Sequence, residues 1–322
     1  MNLQLHEVAG LAAALTAAQT EGLLAALAER SGSAADLAAR CHLDPRACAH
    51  ILDLLDAFHL ITRDGDRYGA GHELMDLAAR PLPLGKMEAE LWRHAPTFLR
   101  SGKPLITMDA APGAREGLYR DVVPELGKLF SAAAERLAER CRHLNPRSIL
   151  DVGCGSGVWG LALARQVPDA RVTGLDLPAV VEQFLTRAAA LGLDDRVATI
   201  TGDMHTVPLP DGHWDLAIIA NVLRLEPIAV ARALVTRSVA ALRPGGSLLI
   251  VDALAAGTTA ARQSRAIYAF HLAMRTRMGR VHTTAEISQW MEEAGCEAPT
   301  ELRLDVQSAA AGALGAVIAR KI

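Results

Sequence analysis

Two hydrophobic patterns divide the chain near Pro146. Before this residue, apolar side chains recur mostly at helical spacing, whereas after it short apolar runs alternate with helical segments. Alternation of that kind predicts an α/β fold, with a largely parallel sheet covered by helices on both faces. The strands are predicted at residues 148–152, 171–176, 197–201, 216–220 and 247–252.

The first 80 residues predict a different arrangement, in which helices precede one β-hairpin. Helical spacing and helix-start residues predict two helices within 6–29 and single helices over 34–41 and 45–58. Segments 60–63 and 66–68 flank an Asp-Gly pair, which is typical of a hairpin turn. This order of elements is the outline of a winged helix.

The chain is therefore predicted to have three parts. Residues 1–80 form a winged-helix-like part, residues 81–145 a helical linker, and residues 146–322 the α/β domain. Prolines are expected to separate short helices in the linker, around 87–99 and 124–142, because proline removes a backbone hydrogen-bond donor. These prolines stand at positions 81, 83, 96, 104, 112 and 124.

Composition and charge narrow the class of protein. The 322 residues include 33 basic and 36 acidic side chains, and 51% of residues are hydrophobic, which is enough for a sizeable core. Residues 1–80 contain six Arg, no Lys and eleven acidic residues, and this net charge of −5 would repel nucleic-acid phosphates. We therefore expect the N-terminal part to form a homodimer interface rather than to bind DNA.

Cysteine spacing and hydropathy indicate which metal, disulfide and membrane features to expect. The five cysteines are scattered and none stands in a CxxC pair, so neither a zinc site nor a disulfide framework is predicted. The N-terminus has no basic segment of a signal peptide, and no run of 18 residues is apolar enough to cross a bilayer. We expect a cytoplasmic protein that binds no metal and no membrane.

A glycine-rich loop follows the first predicted strand of the α/β domain. Gly153, Gly155 and Gly157 allow the backbone to turn sharply and to approach a ligand at the carboxyl end of the strand. A dinucleotide fingerprint would place its third glycine where this chain has Val158, so the spacing disfavours NAD. Asp151, just before the loop, suits a cationic ligand or, alternatively, braces the loop through backbone N–H groups.

Acidic residues end the next two predicted strands. Asp176 follows Gly157 by 19 residues, about where a carboxylate binds a ribose diol. Asp203 and Met204 end the third strand, where they could bind an exocyclic amine and pack on a purine face. Either acid alone fits an ordinary surface position, but their order along the chain favours a nucleoside-binding cleft.

With these motifs, the chain resembles class I S-adenosylmethionine-dependent methyltransferases. More narrowly, it is similar to the dimeric small-molecule O-methyltransferases that carry an N-terminal winged helix. The resemblance rests on the loop 151–157, on Asp176, on 202–204 and on Leu-Arg-Pro-Gly-Gly at 242–246. It implies a Rossmann-like, seven-stranded sheet with an antiparallel last strand, formed from 301–306 and 315–320.

The resemblance also implies roles for individual residues. Gly153 and Gly155 would lie alongside the methionine part of S-adenosylmethionine, and Asp176 would bind the ribose hydroxyls. Asp203 and Met204 would lie on either side of the adenine. Asn221 would stand at the junction of cofactor and acceptor. The cofactor-binding residues are thus expected to be Asp151, Gly153, Gly155, Asp176, Leu177, Asp203, Met204 and Asn221.

One position departs from the family pattern. The family's catalytic base is a histidine in a Val-Leu-His-Asp context, whereas this chain reads Val222-Leu223-Arg224-Leu225. Arginine stays protonated and cannot accept a proton at neutral pH. The alternative for Arg224 is an ordinary solvated or ion-paired side chain, with Glu226 as the nearest partner in sequence.

Three interpretations of this departure stay open. In the first, another residue is the general base. In the second, the acceptor is already ionised or reacts at carbon, so that no base is needed and Arg224 binds the negative charge of the acceptor. In the third, the protein catalyses a reaction other than methyl transfer, or none. An arginine-rich segment, with arginines at 262, 265, 275, 277 and 280, is either a solvated helix face or part of an anionic acceptor site. The residues considered for catalysis are His271, Arg224, Tyr268 and His282, followed by His205 and Asp252.

The sequence as a whole predicts methyl transfer from S-adenosylmethionine to a small, natural-product-like acceptor, at oxygen or carbon. The alternatives are a non-methylating enzyme of the same fold and a non-catalytic regulatory module built on the winged helix.

Overall fold

The computed structural model describes residues 5–71, 82–110, 112–254, 257–302, 304 and 314–322. The chain divides into two compact units, Met1–His94 and Ala95–Ile322. This division falls inside the segment 81–145. Among the described helices, none alone has the length and hydropathy of a bilayer span; only Val8–Thr20 together with Leu23–Glu29 does, and this pair is bent by 71°.

The first unit contains four helices followed by a hairpin, as the sequence predicts. Strand β3 lies between β1 and β2 in a small antiparallel sheet, and leucines of all four helices together with Tyr68 form the core. The helices are α1 (Leu5–Thr20), α2 (Leu23–Glu29), α3 (Ala34–Cys41) and α4 (Pro45–Ala57); the strands are β1 (Gly32–Ser33), β2 (Ile61–Asp64) and β3 (Arg67–Ala70).

Side-chain caps fix where α3 and α4 begin. The Ser33 hydroxyl accepts a hydrogen bond from the Asp36 N–H, and the Asp36 carboxylate accepts one from the Ser33 N–H. The Asp44 carboxylate accepts a hydrogen bond from the Ala47 N–H, with Pro45 at the first helical position. These caps satisfy N–H groups that have no partner within the helix.

Two long helices occupy the segment that was predicted as a broken linker. They are α5 (Leu82–Ser101) and α6 (Pro112–Cys141), with Pro96 and Pro124 inside them. The helices predicted around 87–99 and 124–142 are therefore parts of these longer helices, and Pro124 does not begin a separate helix as predicted; residue 81 lies outside the described residues. A proline removes one helical hydrogen bond, and in α6 this loss is offset by burial of the apolar face that includes Phe130 and Leu137.

The second unit is built on a seven-stranded sheet of order β6-β5-β4-β7-β8-β10-β9. The first five strands of that order are mutually parallel, and β10 is antiparallel to both of its neighbours. The strands are β4 (Ser148–Val152), β5 (Arg171–Asp176), β6 (Val197–Thr201), β7 (Trp214–Ala220), β8 (Leu242–Asp252), β9 (Thr300–Leu302) and β10 (Gly315–Arg320).

These strands confirm the predicted fold class, with differences from the predicted bounds at β7, β8 and β9. Strand β7 begins two residues earlier than predicted, and β8 begins at Leu242, so the Leu-Arg-Pro-Gly-Gly segment is part of the strand rather than its preceding turn. Strand β9 ends at Leu302. The rest of the predicted range 301–306 is outside the described residues, except residue 304.

Helices cover both faces of the sheet. Successive residues of β4 alternate between two buried apolar clusters, since Ile149 belongs to one and Leu150 to the other. The first cluster includes residues of α6 and α7, and the second includes residues of α9 and α11. The helices after β4 are α7 (Val158–Gln166), α8 (Pro178–Ala190), α9 (Ile228–Ala241), α10 (Thr259–Ala273) and α11 (Thr284–Glu293).

Candidate active site

A cavity opens at the carboxyl ends of the parallel strands. It encloses about 870 Å³, including open solvent at its mouth, which is a normal size for a small-molecule or cofactor site. The ends of β4 to β7 line one side and α6 lines the other. Of the predicted cofactor residues, those that line it are Gly153, Gly155, Asp176, Leu177, Asp203, Met204 and Asn221.

Helix α6 contributes a wall that sequence reasoning missed. Tyr119, Val123, Leu126, Gly127 and Phe130 line the cavity. They recur at intervals of three and four, which places them on one helix face. That spacing was visible in the sequence, but nothing in it indicated that the face lies over the strand ends.

Gly153 lies where three loops come close together. Its φ is +66°, and a Cβ at this position would be 2.7 Å from Val222 Cγ2 and 3.4 Å from Met204 Sδ. The N–H groups of Gly153 and Cys154 donate to the Leu175 carbonyl, at 2.8 and 3.1 Å. Only a residue without a side chain keeps this backbone in place and leaves the space beside it open.

The Asp176 carboxylate supports the glycine loop and faces the cavity. Its Oδ2 accepts a hydrogen bond from the Gly155 N–H, and its Oδ1 accepts one from the Leu177 N–H, both at 2.8 Å. A carboxylate has about four lone-pair sites and can accept hydrogen bonds from hydroxyl groups as well as from backbone N–H groups. This geometry suits a diol.

A histidine links the loops that follow β6 and β7. The Asp203 carboxylate accepts a hydrogen bond from the His205 N–H at 3.0 Å, and His205 Nε2 lies 3.1 Å from Glu226 Oε1. Glu226 lines the cavity beside Asp203. Sequence reasoning considered Glu226 only as a partner for Arg224, so its contact with His205 and its place in the cavity wall were missed.

Asp151 is not among the residues that line the cavity, contrary to the prediction that it binds cofactor. Its side chain is 1% exposed and accepts a hydrogen bond from the Gly160 N–H at 3.1 Å. It therefore binds a backbone N–H, as in the alternative interpretation, but this N–H belongs to the first turn of α7 rather than to the glycine loop. Burial, with the nearby Asp176 charge adding to it, raises the pKa of Asp151 to about 7 against the hydrogen bond from Gly160.

We expect Asp151→Asn to change how stability depends on pH. Because the folded-state pKa is raised, the native protein keeps a proton that the unfolded chain loses, so stability falls as pH rises from about 4 to about 7. Asparagine keeps an acceptor for Gly160 and carries no charge. Between pH 5 and pH 8, thermal unfolding should show the variant gaining about 2–3 kcal/mol relative to the parent. Exposed Asp169→Asn is the matched control, and parallel pH curves for both variants would contradict this expectation.

Arg224 is buried in an ion pair, and its side chain is absent from the cavity lining. Its Nη1 donates to Asp252 Oδ1 at 3.0 Å, and its guanidinium carbon lies 5.1 Å from the centre of the Tyr268 ring. Burial opposes the charge, but nearby Tyr268 and Asp252 outweigh it and hold the pKa of Arg224 above its usual value. The sequence-based alternative of an ion pair with Glu226 is wrong in its partner, because Glu226 contacts His205.

The comparisons with known proteins decide the family. The sequence matches the family model of the O-methyltransferase domain over residues 125–297, which is more than half of the chain. The chain belongs to the O-methyltransferase family. It is accordingly an S-adenosylmethionine-dependent methyltransferase.

Related sequences and solved structures of methyltransferases match this chain over nearly its full length. The 3-hydroxy-5-methyl-1-naphthoate 3-O-methyltransferase of Streptomyces sahachiroi is 29% identical, over 94% of this chain and 90% of its own. Human N-acetylserotonin methyltransferase, solved in complex with S-adenosylmethionine, superposes with a TM-score of 0.74 at 19% identity, covering 97% of this chain and 94% of its own. An O-methyltransferase family protein from Burkholderia thailandensis gives 0.73 at 20% identity, covering 100% and 99%.

The cavity of this methyltransferase fits S-adenosylmethionine. The space beside Gly153 would be filled by any Cβ, and the carboxylates of Asp176 and Asp203 offer acceptors for hydroxyl and amine groups. Among the described residues that line the cavity, none is Lys, Arg or His, whereas three are carboxylates. This charge suits a sulfonium ligand and disfavours phosphate groups.

Two of the residues considered as bases lie close to position 224: Tyr268 contacts the Arg224 side chain, and His282 contacts the carbonyl of the neighbouring Leu223. His282 is buried, donates from Nε2 to the Leu223 carbonyl at 3.0 Å, and packs edge-on against Trp290; burial lowers its pKa. The Tyr268 ring lies between Arg224 and Arg275. His271 is in the last turn of α10. None of these residues is part of the described cavity lining.

The arginine-rich segment makes contacts within the protein. Side chains of four of its members donate to Thr259, to the His282 carbonyl, to the Tyr268 hydroxyl and to Glu286, and the backbone N–H of the fifth donates to Asp109. These contacts are those expected of a structural segment. The members are Arg262, Arg265, Arg275, Arg280 and, through its backbone, Arg277.

Proposed function

We propose that this methyltransferase methylates an ionised oxygen of a small aromatic, natural-product-like acceptor, without a general base at position 224. The observation that carries the proposal is the buried Arg224–Asp252 pair, which lies at the position where the resemblance to the family implies a histidine base. The acceptor class is proposed by analogy with the Streptomyces relative, whose name describes methylation of a hydroxyl on a naphthoate. A carbon nucleophile is the alternative.

S-adenosylmethionine, when bound, supplies an electrophilic methyl group on a sulfonium centre. Asp176 would hold the ribose hydroxyls and, through its bonds to the Gly155 and Leu177 N–H groups, keep the glycine loop in place. Asp203 and Met204 would contact the base. The α6 face from Tyr119 to Phe130 would cover the cavity and exclude water.

The absence of a base at position 224 puts a condition on the acceptor. Holding two reactants in line supplies a large part of the rate enhancement in such transfers. If no side chain removes the proton, the hydroxyl must already be ionised when it binds. Acidic phenols, enols and hydroxyls conjugated to a carbonyl meet this condition near neutral pH.

A series of acceptors with graded acidity tests the proposal. The protein is incubated with methyl-labelled cofactor and substituted 2-naphthols, and kcat/KM is measured against pH for each. We expect label on oxygen and an inflection that follows the pKa of each naphthol. Phenols of low pKa should react fastest at pH 7.

Other outcomes overturn specific parts of the proposal. An inflection at one fixed pH for every acceptor would show that a side chain of the protein is the base, and His271 would then be tested first. Label on carbon would favour the alternative nucleophile. No transfer to any acceptor, together with normal binding of S-adenosylhomocysteine, would favour a non-methylating reaction.

We also propose that the protein is a cytoplasmic homodimer that associates through its N-terminal unit. The support for association is the net charge of −5 of residues 1–80, which disfavours nucleic-acid binding, together with the apolar helices of this segment. Sedimentation equilibrium of the full chain should give twice the monomer mass at micromolar concentration. A monomer at that concentration would contradict the proposal.

A further inference from the structure

Asn221 has an unusual backbone conformation at the edge of the cavity. It follows β7 directly, its φ is +62°, and its N–H donates to the Val251 carbonyl at 2.8 Å. Asparagine tolerates this left-handed region better than other residues that carry a Cβ. Ala220, Asn221 and Val222 all line the cavity, so the turn brings the Asn221 side chain to the ligand space.

Arg224 determines which end of the Asn221 carboxamide is available. Its Nη1 donates to Asn221 Oδ1 at 2.5 Å and also to Asp252 Oδ1 at 3.0 Å. A guanidinium has only donors, so the amide atom that faces it must be the oxygen. The NH₂ group is therefore at the other end of the amide, and no described residue accepts a hydrogen bond from it.

The charges around the cavity indicate what kind of ligand atom this NH₂ group binds. The described cavity lining contains three carboxylates, those of Asp176, Asp203 and Glu226, and no cationic side chain. A ligand oxygen that carries negative charge needs neutral donors there. The Asn221 NH₂ is one, and the buried guanidinium one hydrogen bond behind it polarises the amide towards donation.

We propose that Arg224 is a positioning residue: it fixes the Asn221 carboxamide so that its NH₂ binds a negatively charged oxygen of the ligands. This inference rests on the proposed function, and two oxygens have the required chemistry. One is the carboxylate in the amino-acid part of the cofactor, and the other is the ionised oxygen of the acceptor. On this account, the residue at position 224 does not accept a proton but holds the Asn221 NH₂ in place as a hydrogen-bond donor.

Asn221→Asp is the sharpest variant, because it keeps the oxygen that accepts from Arg224 and replaces only the NH₂. Calorimetry of the full-length protein compares S-adenosylhomocysteine with 5′-methylthioadenosine, which lacks the amino-acid part. If the cofactor carboxylate is the ligand, affinity for S-adenosylhomocysteine falls by about 30-fold or more, and that for methylthioadenosine is unchanged. If the acceptor oxygen is the ligand, both affinities stay, and binding of a naphtholate to the S-adenosylhomocysteine complex weakens similarly.

Substitution of Arg224 tests its positioning role. Arg224→Lys retains a donor to Asn221. If the cofactor carboxylate is the ligand, this variant should keep the parent preference for S-adenosylhomocysteine over methylthioadenosine. If the acceptor oxygen is the ligand, it should keep the parent affinity for the naphtholate. Arg224→Met frees the Asn221 amide to rotate. It should lower only the preference for S-adenosylhomocysteine in the first case, or only the naphtholate affinity in the second, whereas a general structural defect would weaken binding of all three ligands. If Arg224→Met fails to fold, Asn221→Asp still decides, because it keeps the Arg224–Asp252 pair.

The inference fails if Asn221→Asp binds all three ligands as the parent does. Failure of the proposed function gives a different result. If the proposed function is wrong, the parent protein itself does not transfer label to oxygen, whether or not it binds S-adenosylhomocysteine.

Discussion

Gly153→Ala is expected to weaken binding of S-adenosylhomocysteine by about 100-fold or more, which corresponds to about 3 kcal/mol. The new Cβ would lie 2.7 Å from Val222 Cγ2, and this branched side chain has little freedom to move away. The loop after β4 or the turn after β7 must then shift, and both line the cavity. The measurement is calorimetric titration of the folded variant.

A second glycine separates the steric clash from the cost of the backbone conformation. Gly192 has the same φ of +66°, but a Cβ there would meet nothing within 4 Å. Gly192→Ala should therefore show a small loss of stability, of about 1 kcal/mol, and unchanged affinity for S-adenosylhomocysteine. If the two variants bind this ligand equally well, the close approach at Gly153 has no part in forming the cavity.

Asp252→Ala is expected to lower the free energy of unfolding by about 3–5 kcal/mol, because it leaves the Arg224 charge buried without its partner. Asp252 is 2% exposed and accepts hydrogen bonds from the Arg224 N–H, from Arg224 Nη1 and from the Ala253 N–H. The midpoint of thermal unfolding should fall by about 10 °C for a unit of this size. Differential scanning calorimetry gives both quantities.

An exposed ion pair provides the control for this variant. Arg232 and Glu293 lie 2.9 Å apart with side chains 56% and 36% exposed, so Glu293→Ala should lower the midpoint by no more than about 2 °C. Replacing both buried partners, as in Arg224→Met with Asp252→Leu, should recover a large part of the loss, because no charge is then left unpaired. Equal destabilisation by Asp252→Ala and Glu293→Ala would show that burial of the pair is energetically unimportant.

The parts of the site that the sequence predicts are those whose residues directly follow a parallel strand. The glycine loop, Asp176 and the Asp203–Met204 pair each follow a strand directly, and parallel strands bring their carboxyl ends to one edge. The position of such residues follows from the strand pattern alone. This is why most of the expected cofactor residues line the cavity.

The parts that it does not predict depend on contacts between distant segments. Arg224 and Asp252 are 28 residues apart, and nothing local indicates that the turn after β7 and the end of β8 form a buried pair. The contact of His205 with Glu226 spans 21 residues and joins two different loops. The error at Asp151 has another cause, since strand alternation decides whether a side chain points to the ligand or into the core.

The burial of Arg224 with Asp252 also limits how position 224 can be substituted. A histidine introduced alone at 224 would be a shorter side chain beside a buried carboxylate, and it would leave the Asn221 oxygen without its donor. A change at 252 alone would leave a cation without its counter-charge. Exchange of arginine for histidine at 224 therefore requires coordinated substitutions at 221 and 252, and we expect these three positions to vary together among homologues.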